Sequence, residues 1–138
     1  MSGIITVYKT DLGAARQSNA MINGKALKFV AFSVGSGGHN PTTGNPITVN
    51  RSNTTLPGKL FGPSYNVEQS IVDETTIQLK CYLLTGEASG TEISNIGIIA
   101  QVVSSDTDNG QEFLYAIANF SPISRVPGKL TFTIEFAN

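Results

Sequence analysis

The sequence predicts a β-rich domain, mainly antiparallel sheet or sandwich, with one short N-terminal α-helix packed on the sheet and a long Gly/Pro-rich loop. Three observations carry that class. Segments of β-branched and aromatic residues recur along the 138-residue chain, enough for five or six strands. Good helix formers gather in one stretch only, Leu12 to Ala20. Residues 35–64 hold six of the 14 Gly and four of the six Pro, a density that forbids long regular structure. The length fits a single domain over 1–138, able to bury a core without staples, with 35–64 as an extended loop or arm within it.

The elements follow in order. Ile4-Ile5-Thr6-Val7-Tyr8 reads as a short strand. Thr10 or Asp11 can cap the helix that follows by accepting from the free amides of its first turn. Gly13 weakens that helix by about 1 kcal/mol against Ala, and Asn23-Gly24 signals the turn that ends it. From Ala26, Leu27, Phe29, Ala31 and Ser33 alternate with Lys28, Val30, Phe32 and Val34, which places apolar groups on both faces of a strand. Val30, Phe32 and Val34, opposite Phe29, are therefore candidates for a second buried face against a neighbouring subunit; packing within one subunit is the competing expectation. Within 35–64, Leu60-Phe61 could pair locally, and so large a loop is expected to pack on an adjacent subunit or other partner.

The second half alternates more plainly. Ile77, Leu79, Cys81 and Leu83 share one face of a strand. Ile93 to Val103 is long and apolar, and Gly97 inside it marks a bulge or a close backbone approach. Ser104 to Gly110 reads as the turn, its Asn109-Gly110 pair suiting a tight hairpin. Glu112 to Phe120 returns, and a last strand from Lys129 alternates Leu130, Phe132, Ile134 and Phe136 with polar residues.

Composition narrows the function. Nine basic and ten acidic residues leave a net charge of −1, a poor grip on a phosphate backbone, so no nucleic-acid partner is expected. Charged residues make up only 14% of the chain, against a usual quarter, a composition that suits a surface partly covered by partners. No apolar run approaches the roughly 18–20 residues of a membrane span, so no membrane insertion is expected. Met1 to Tyr8 shows no basic-then-apolar leader. One cysteine, Cys81, excludes an internal disulfide framework.

Chemistry-bearing groups are few. His39 is the only histidine and sits in Gly35-Ser36-Gly37-Gly38-His39-Asn40-Pro41. It could act as a base or metal ligand, even on a three-fold axis, but a packed or solvated loop residue is the plainer reading. A phosphate-loop pattern starting at Gly35 would need a third glycine where Asn40 stands, so the glycines read instead as places for sharp turns or close backbone approach. Asp106 to Gly110 imitates the opening of a calcium loop, yet Gln111 and Ile117 hold the places of its glycine and closing glutamate. Cys81 falls on an apolar face and reads as an inert buried thiol. No catalytic residue, metal or cofactor is expected, and the chain reads as not an enzyme.

Two stretches together resemble the amino-terminal domain of tail-fibre (tail-collar fibre) proteins of contractile-tailed phages. The first runs Thr6-Val7-Tyr8-Lys9-Thr10-Asp11-Leu12-Gly13-Ala14-Ala15, then Lys28-Phe29-Val30-Ala31-Phe32-Ser33-Val34-Gly35-Ser36-Gly37-Gly38. The second runs Ile93-Ser94-Asn95-Ile96-Gly97-Ile98-Ile99-Ala100, then Phe113-Leu114-Tyr115-Ala116-Ile117-Ala118-Asn119-Phe120. A loop and a final apolar strand close the family domain, as Pro127 to Phe136 does here. Asn95 stands where the family usually has an acid, and the family's fibre shaft has no counterpart before Asn138. The resemblance implies a structural virion protein of the tail or baseplate, assembled in the host cytoplasm: an attachment or adaptor subunit, commonly a homotrimer, contacting other tail, baseplate or fibre proteins. Val30, Phe32, Val34, Gly35, Gly37, Gly38, His39, Leu60 and Phe61 are then the expected interaction residues. A small carbohydrate-binding β module serving receptor recognition is the alternative. Such modules stack sugars on exposed rings, whereas this chain has no Trp and three of its four Tyr lie in predicted strands.

Overall fold

The computed structural model describes residues 4–73, 76–105 and 108–137. They form two packed sheets with one helix. Strands β1 (Ile4–Thr6) and β2 (Tyr8–Lys9) precede helix α1 (Asp11–Ile22). Strands β3 (Ala26–Gly35), β4 (Lys59–Ser64), β5 (Val67–Asp73), β6 (Thr76–Leu83), β7 (Glu92–Ser105), β8 (Asp108–Asn109), β9 (Phe113–Ser124) and β10 (Leu130–Ala137) follow. One sheet has the order β1-β10-β6-β5 and the other β2-β9-β7-β3-β4, with β8 paired to β7. Pairing is antiparallel except where β1 lies parallel to β10.

The chain changes sheets twice over very short distances. Val7 alone separates β1 in one sheet from β2 in the other, and Tyr65-Asn66 does the same between β4 and β5. The single strand expected over Ile4 to Tyr8 is therefore split, and the expected loop over 35–64 ends in a strand, β4, hydrogen-bonded to β3. The hairpin expected at Ser104 to Gly110 includes 106–107, which lie outside the described residues.

The core fills the space between the sheets, as expected for face-to-face packing. Phe32, Val34, Ile96, Ile98, Ala116 and Ala118 meet Leu79, Cys81, Leu83, Phe132 and Ile134, all essentially inaccessible. This overturns the alternation read from the sequence. Phe29 pairs with Ala100 but Ala31 with Ile99, so Val30 is an extra residue, a β-bulge. The bulge brings Phe32 and Val34 onto the same inner face as Phe29 and leaves Ala31 and Ser33 outward. Phe32 and Val34 are fully buried in their own subunit and offer nothing to a neighbour.

Helix α1 packs against β9 through its start. The Thr10 side chain accepts from Gly13 N at 2.8 Å and donates to Leu114 O at 2.8 Å, capping the helix and pinning it to the strand. Gly13 is required there because a Cβ would overlap the Tyr115 carbonyl oxygen.

Candidate functional site

The outer face of the larger sheet is where the predicted residues gather. Residues 36–58 do not project as an arm; they fold back over β7 and β9. Leu56 is buried with Leu114 and Ile117, and Val49 packs beside them. A Cβ on Gly97 would sit 2.7 Å from Leu114 Cδ1 and 3.2 Å from Leu56 Cδ1, so this glycine makes room for the loop's anchor.

The loop is fastened at its base by three glycines. Gly38 N donates to Ser94 Oγ at 2.9 Å, and a Cβ on Gly38 would overlap the Ser94 carbonyl oxygen. On Gly35 a Cβ would stand 2.6 Å from Asn95 Oδ1, and on Gly37 2.5 Å from Pro57 O. At each of these glycines an oxygen occupies the space a side chain would need, so the backbone can approach only without a Cβ. Asn95 and Asn119 face each other across β7 and β9. Their amides donate to the loop, Asn95 Nδ2 to Pro57 O and Asn119 Nδ2 to Ile47 O, both at 2.9 Å. Their Oδ1 atoms are buried without a hydrogen-bond donor and stand 2.6 and 2.9 Å from where a Cβ on Gly35 and on Gly38 would lie. His39 is half-buried beside this clasp, its Nδ1 also buried without a partner.

The structure thus brings together Gly35, Gly37, Gly38 and His39. Val30 is half-buried at the bulge. Leu60 is exposed on β4, and Phe61 is half-buried against the core opposite Val34. The sequence reading missed Ser94, Asn95, Asn119 and Leu56. An asparagine inside an apolar strand was the available signal, since Asn is depleted in strands unless its amide has work.

Elsewhere the geometry is structural. Arg125 is buried and donates to Glu87 O, Val126 O and Leu84 O at 3.0, 2.6 and 2.8 Å, tying the loop after β6 to the end of β9. Burial pushes the Cys81 thiol up to about 12, which leaves it protonated and unreactive at neutral pH. A cleft of about 760 Å³ opens between the sheets beside Val7. Phe29, Phe136 and Tyr115 line it, but Phe29 and Phe136 stack on each other at 4.7 Å. Among the described residues, no three His, Cys, Asp or Glu side chains stand close enough to hold a metal. No described helix is long and apolar enough to cross a membrane.

Fold and site together define a two-sheet β-sandwich whose larger sheet is covered by its own clasped loop. No family model, curated protein or solved structure matches the chain.

Proposed function

We propose that this chain is a structural virion protein, an attachment or adaptor subunit in the tail fibre or baseplate of a phage tail. It works by protein–protein contact, as a homo-oligomer joined to other tail, baseplate or fibre proteins, without catalysis or a cofactor. One observation carries the reading. The segments on which the resemblance rests are far apart in sequence but meet in one packing unit. Gly35 and Gly38, from the first stretch, lie against Asn95, Ser94 and Asn119 from the second. Gly13, from the helical segment, lies against Tyr115. Glycines at close contacts are what a shared fold needs at fixed places, whatever the rest of the sequence does.

The tyrosine rings leave one candidate platform for the sugar-binding alternative, Tyr65, which is 59% exposed and donates its hydroxyl to Glu112. Arg51 lies over the Tyr8 ring at 5.5 Å and Lys129 over the Tyr82 ring at 4.1 Å, so a ring face of each is already engaged. The test is localisation in particles. An antibody to the chain should decorate the tail or baseplate of purified virions, and cryo-electron microscopy should find its sandwich there. Its absence from purified tails, or specific binding of the isolated chain on a glycan array, would refute the proposal.

A further inference from the structure

Three of the four tyrosine rings carry a cation. Lys9 Nζ lies 5.8 Å from the centre of the Tyr115 ring, the Arg51 guanidinium 5.5 Å from that of Tyr8, and Lys129 Nζ 4.1 Å from that of Tyr82. A ring face attracts a cation through its negative quadrupole. Among the described residues no Lys or Arg lies over the fourth ring, Tyr65, which stands exposed. Tyr82 shows how such a ring works with a carboxylate at its hydroxyl: its OH donates to Glu68 Oε2 at 2.8 Å while Lys129 covers its face. Tyr65 repeats the first half of that arrangement, its OH donating to Glu112 Oε1 at 2.9 Å and Oε2 at 3.2 Å. The backbone beneath is held too. In the turn between β4 and β5, Tyr65 O accepts from Val67 N and Asn66 O from Tyr82 N, both at 3.0 Å. Ring and carboxylate are therefore in place before anything binds, which lowers the cost of binding. The hydrogen bond to Glu112 also raises the Tyr65 hydroxyl above its ordinary pKa, so it remains a neutral donor at neutral pH.

We propose that Tyr65 and Glu112 dock one basic side chain, best an arginine, of a neighbouring protein in the assembly. The ring offers its open face and the carboxylate its charge. A guanidinium is planar and suits both at once, stacking on an aromatic face while donating to an adjacent carboxylate. Glu112 also lines a groove of about 510 Å³, walled by Leu56, Pro63, Ile99, Phe113 and Leu114. An apolar residue next to the basic one therefore has a place to lie. Lys59, at the start of β4, lines the same groove and disfavours a second base. The occupant is thus an apolar segment with a single cation, not a polybasic one. The proposal deepens the reading of an adaptor subunit and rests on it only for the neighbour's being a tail, baseplate or fibre protein.

A nuclear magnetic resonance titration of the full chain tests it. The probe is acetyl-Leu-Arg-Leu-amide, and the control is the same peptide with citrulline, the uncharged isostere of arginine. The Tyr65 ring protons should shift saturably with the arginine peptide, with Kd on the order of 1 mM, as one exposed cation contact with an apolar flank allows. Citrulline should weaken binding about tenfold. Tyr65→Phe keeps the ring and should bind within about twofold of the native chain, whereas Tyr65→Leu and Glu112→Gln should each weaken binding about fivefold. Both side chains are exposed, so circular dichroism should not change in any variant. Equal binding of the two peptides, no saturable shift at Tyr65, or Tyr65→Leu binding as well as Tyr65→Phe would each overturn the proposal. So would a stronger response of Tyr65 to a neutral sugar, methyl glucoside, than to the arginine peptide. None of these outcomes depends on where the chain sits in a virion, so the site and the structural role fail separately.

Discussion

Replacing Gly38 by Ala places one methyl group where β7 already stands. The new Cβ would overlap the Ser94 carbonyl oxygen and stand 2.8 Å from its carbon and 2.9 Å from Asn119 Oδ1. Ser94 is fully buried in β7 between Ile93 and Asn95, both paired with β9, so the loop must yield. Lifting it stretches the bonds from Gly38 N to Ser94 Oγ and from Ile47 N to Gly38 O. Overpacking costs about 1–3 kcal/mol and each lost hydrogen bond about 1 kcal/mol, so destabilisation of about 3–5 kcal/mol is expected. Gly44→Ala is the control. Gly44 has φ +74 and nothing near its Cβ position, so only backbone strain of about 1 kcal/mol applies. Urea unfolding gives the two stabilities, and limited proteolysis at neutral pH reports whether 39–58 has come loose. If Gly38→Ala were no less stable than Gly44→Ala, with the loop still protected, the clasp would not be what holds the loop.

Three other changes probe separate parts of the fold. Leu56→Ala removes the loop's buried anchor over Leu114 and Ile117, and should cost about 2–3 kcal/mol in urea unfolding while opening 39–58 to protease. Arg125→Met strands the carbonyls of Leu84, Glu87 and Val126, for an expected loss of about 2–4 kcal/mol; Arg125→Lys should recover little, because one ammonium cannot serve all three. Cys81 should react with a thiol reagent only on unfolding. Its folded value of about 12 lies above the unfolded one, so above pH 9 the unfolded chain releases a proton that the folded chain keeps. Stability should therefore fall by up to about 1.4 kcal/mol per pH unit from there toward pH 12, a slope that Cys81→Ala should reduce.

The sandwich was legible where alternation is strict. Leu79, Cys81 and Leu83, or Phe132 and Ile134, read directly as inner faces, and they are. What alternation cannot register is an inserted residue. Val30 on β3 and Tyr115 on β9 are each extra, because Ile98 pairs with Ala116 but Ile99 with Leu114. A single bulge inverts the reading of every residue beyond it, which is how Phe32 and Val34 come to be core. β4 and β5 were hidden for another reason. The order of β4 comes from pairing with β3, more than twenty residues earlier, and Gly62 and Pro63 mask its local signal, whereas β5 pairs with β6, the next strand, and its Val67, Ile71 and Val72 stand among polar residues without strict alternation. The glycine turn itself was readable as a place of close approach. Which surface it approaches was not, since Ser94 and Asn119 lie more than fifty residues away and only the fold brings them in.

The same pattern explains why so few charges suffice. Thr10 and Ser94 are fully buried, and each hydroxyl binds backbone, Thr10 to Leu114 O and Ser94 to Gly38 N. Asn95 and Asn119 spend their amides on loop carbonyls, and Asn40 and Asn50 accept from the amides of Thr42 and Ser52 inside the loop. Short polar side chains reach backbone groups that a strand or helix has not paired, at small entropic cost, whereas Lys or Glu would have to be solvated. A chain built this way holds a long loop flat against its own sheet through short neutral side chains. Low charge therefore has a physical role inside the subunit, where a charge forced under the loop would have to be desolvated and would oppose folding.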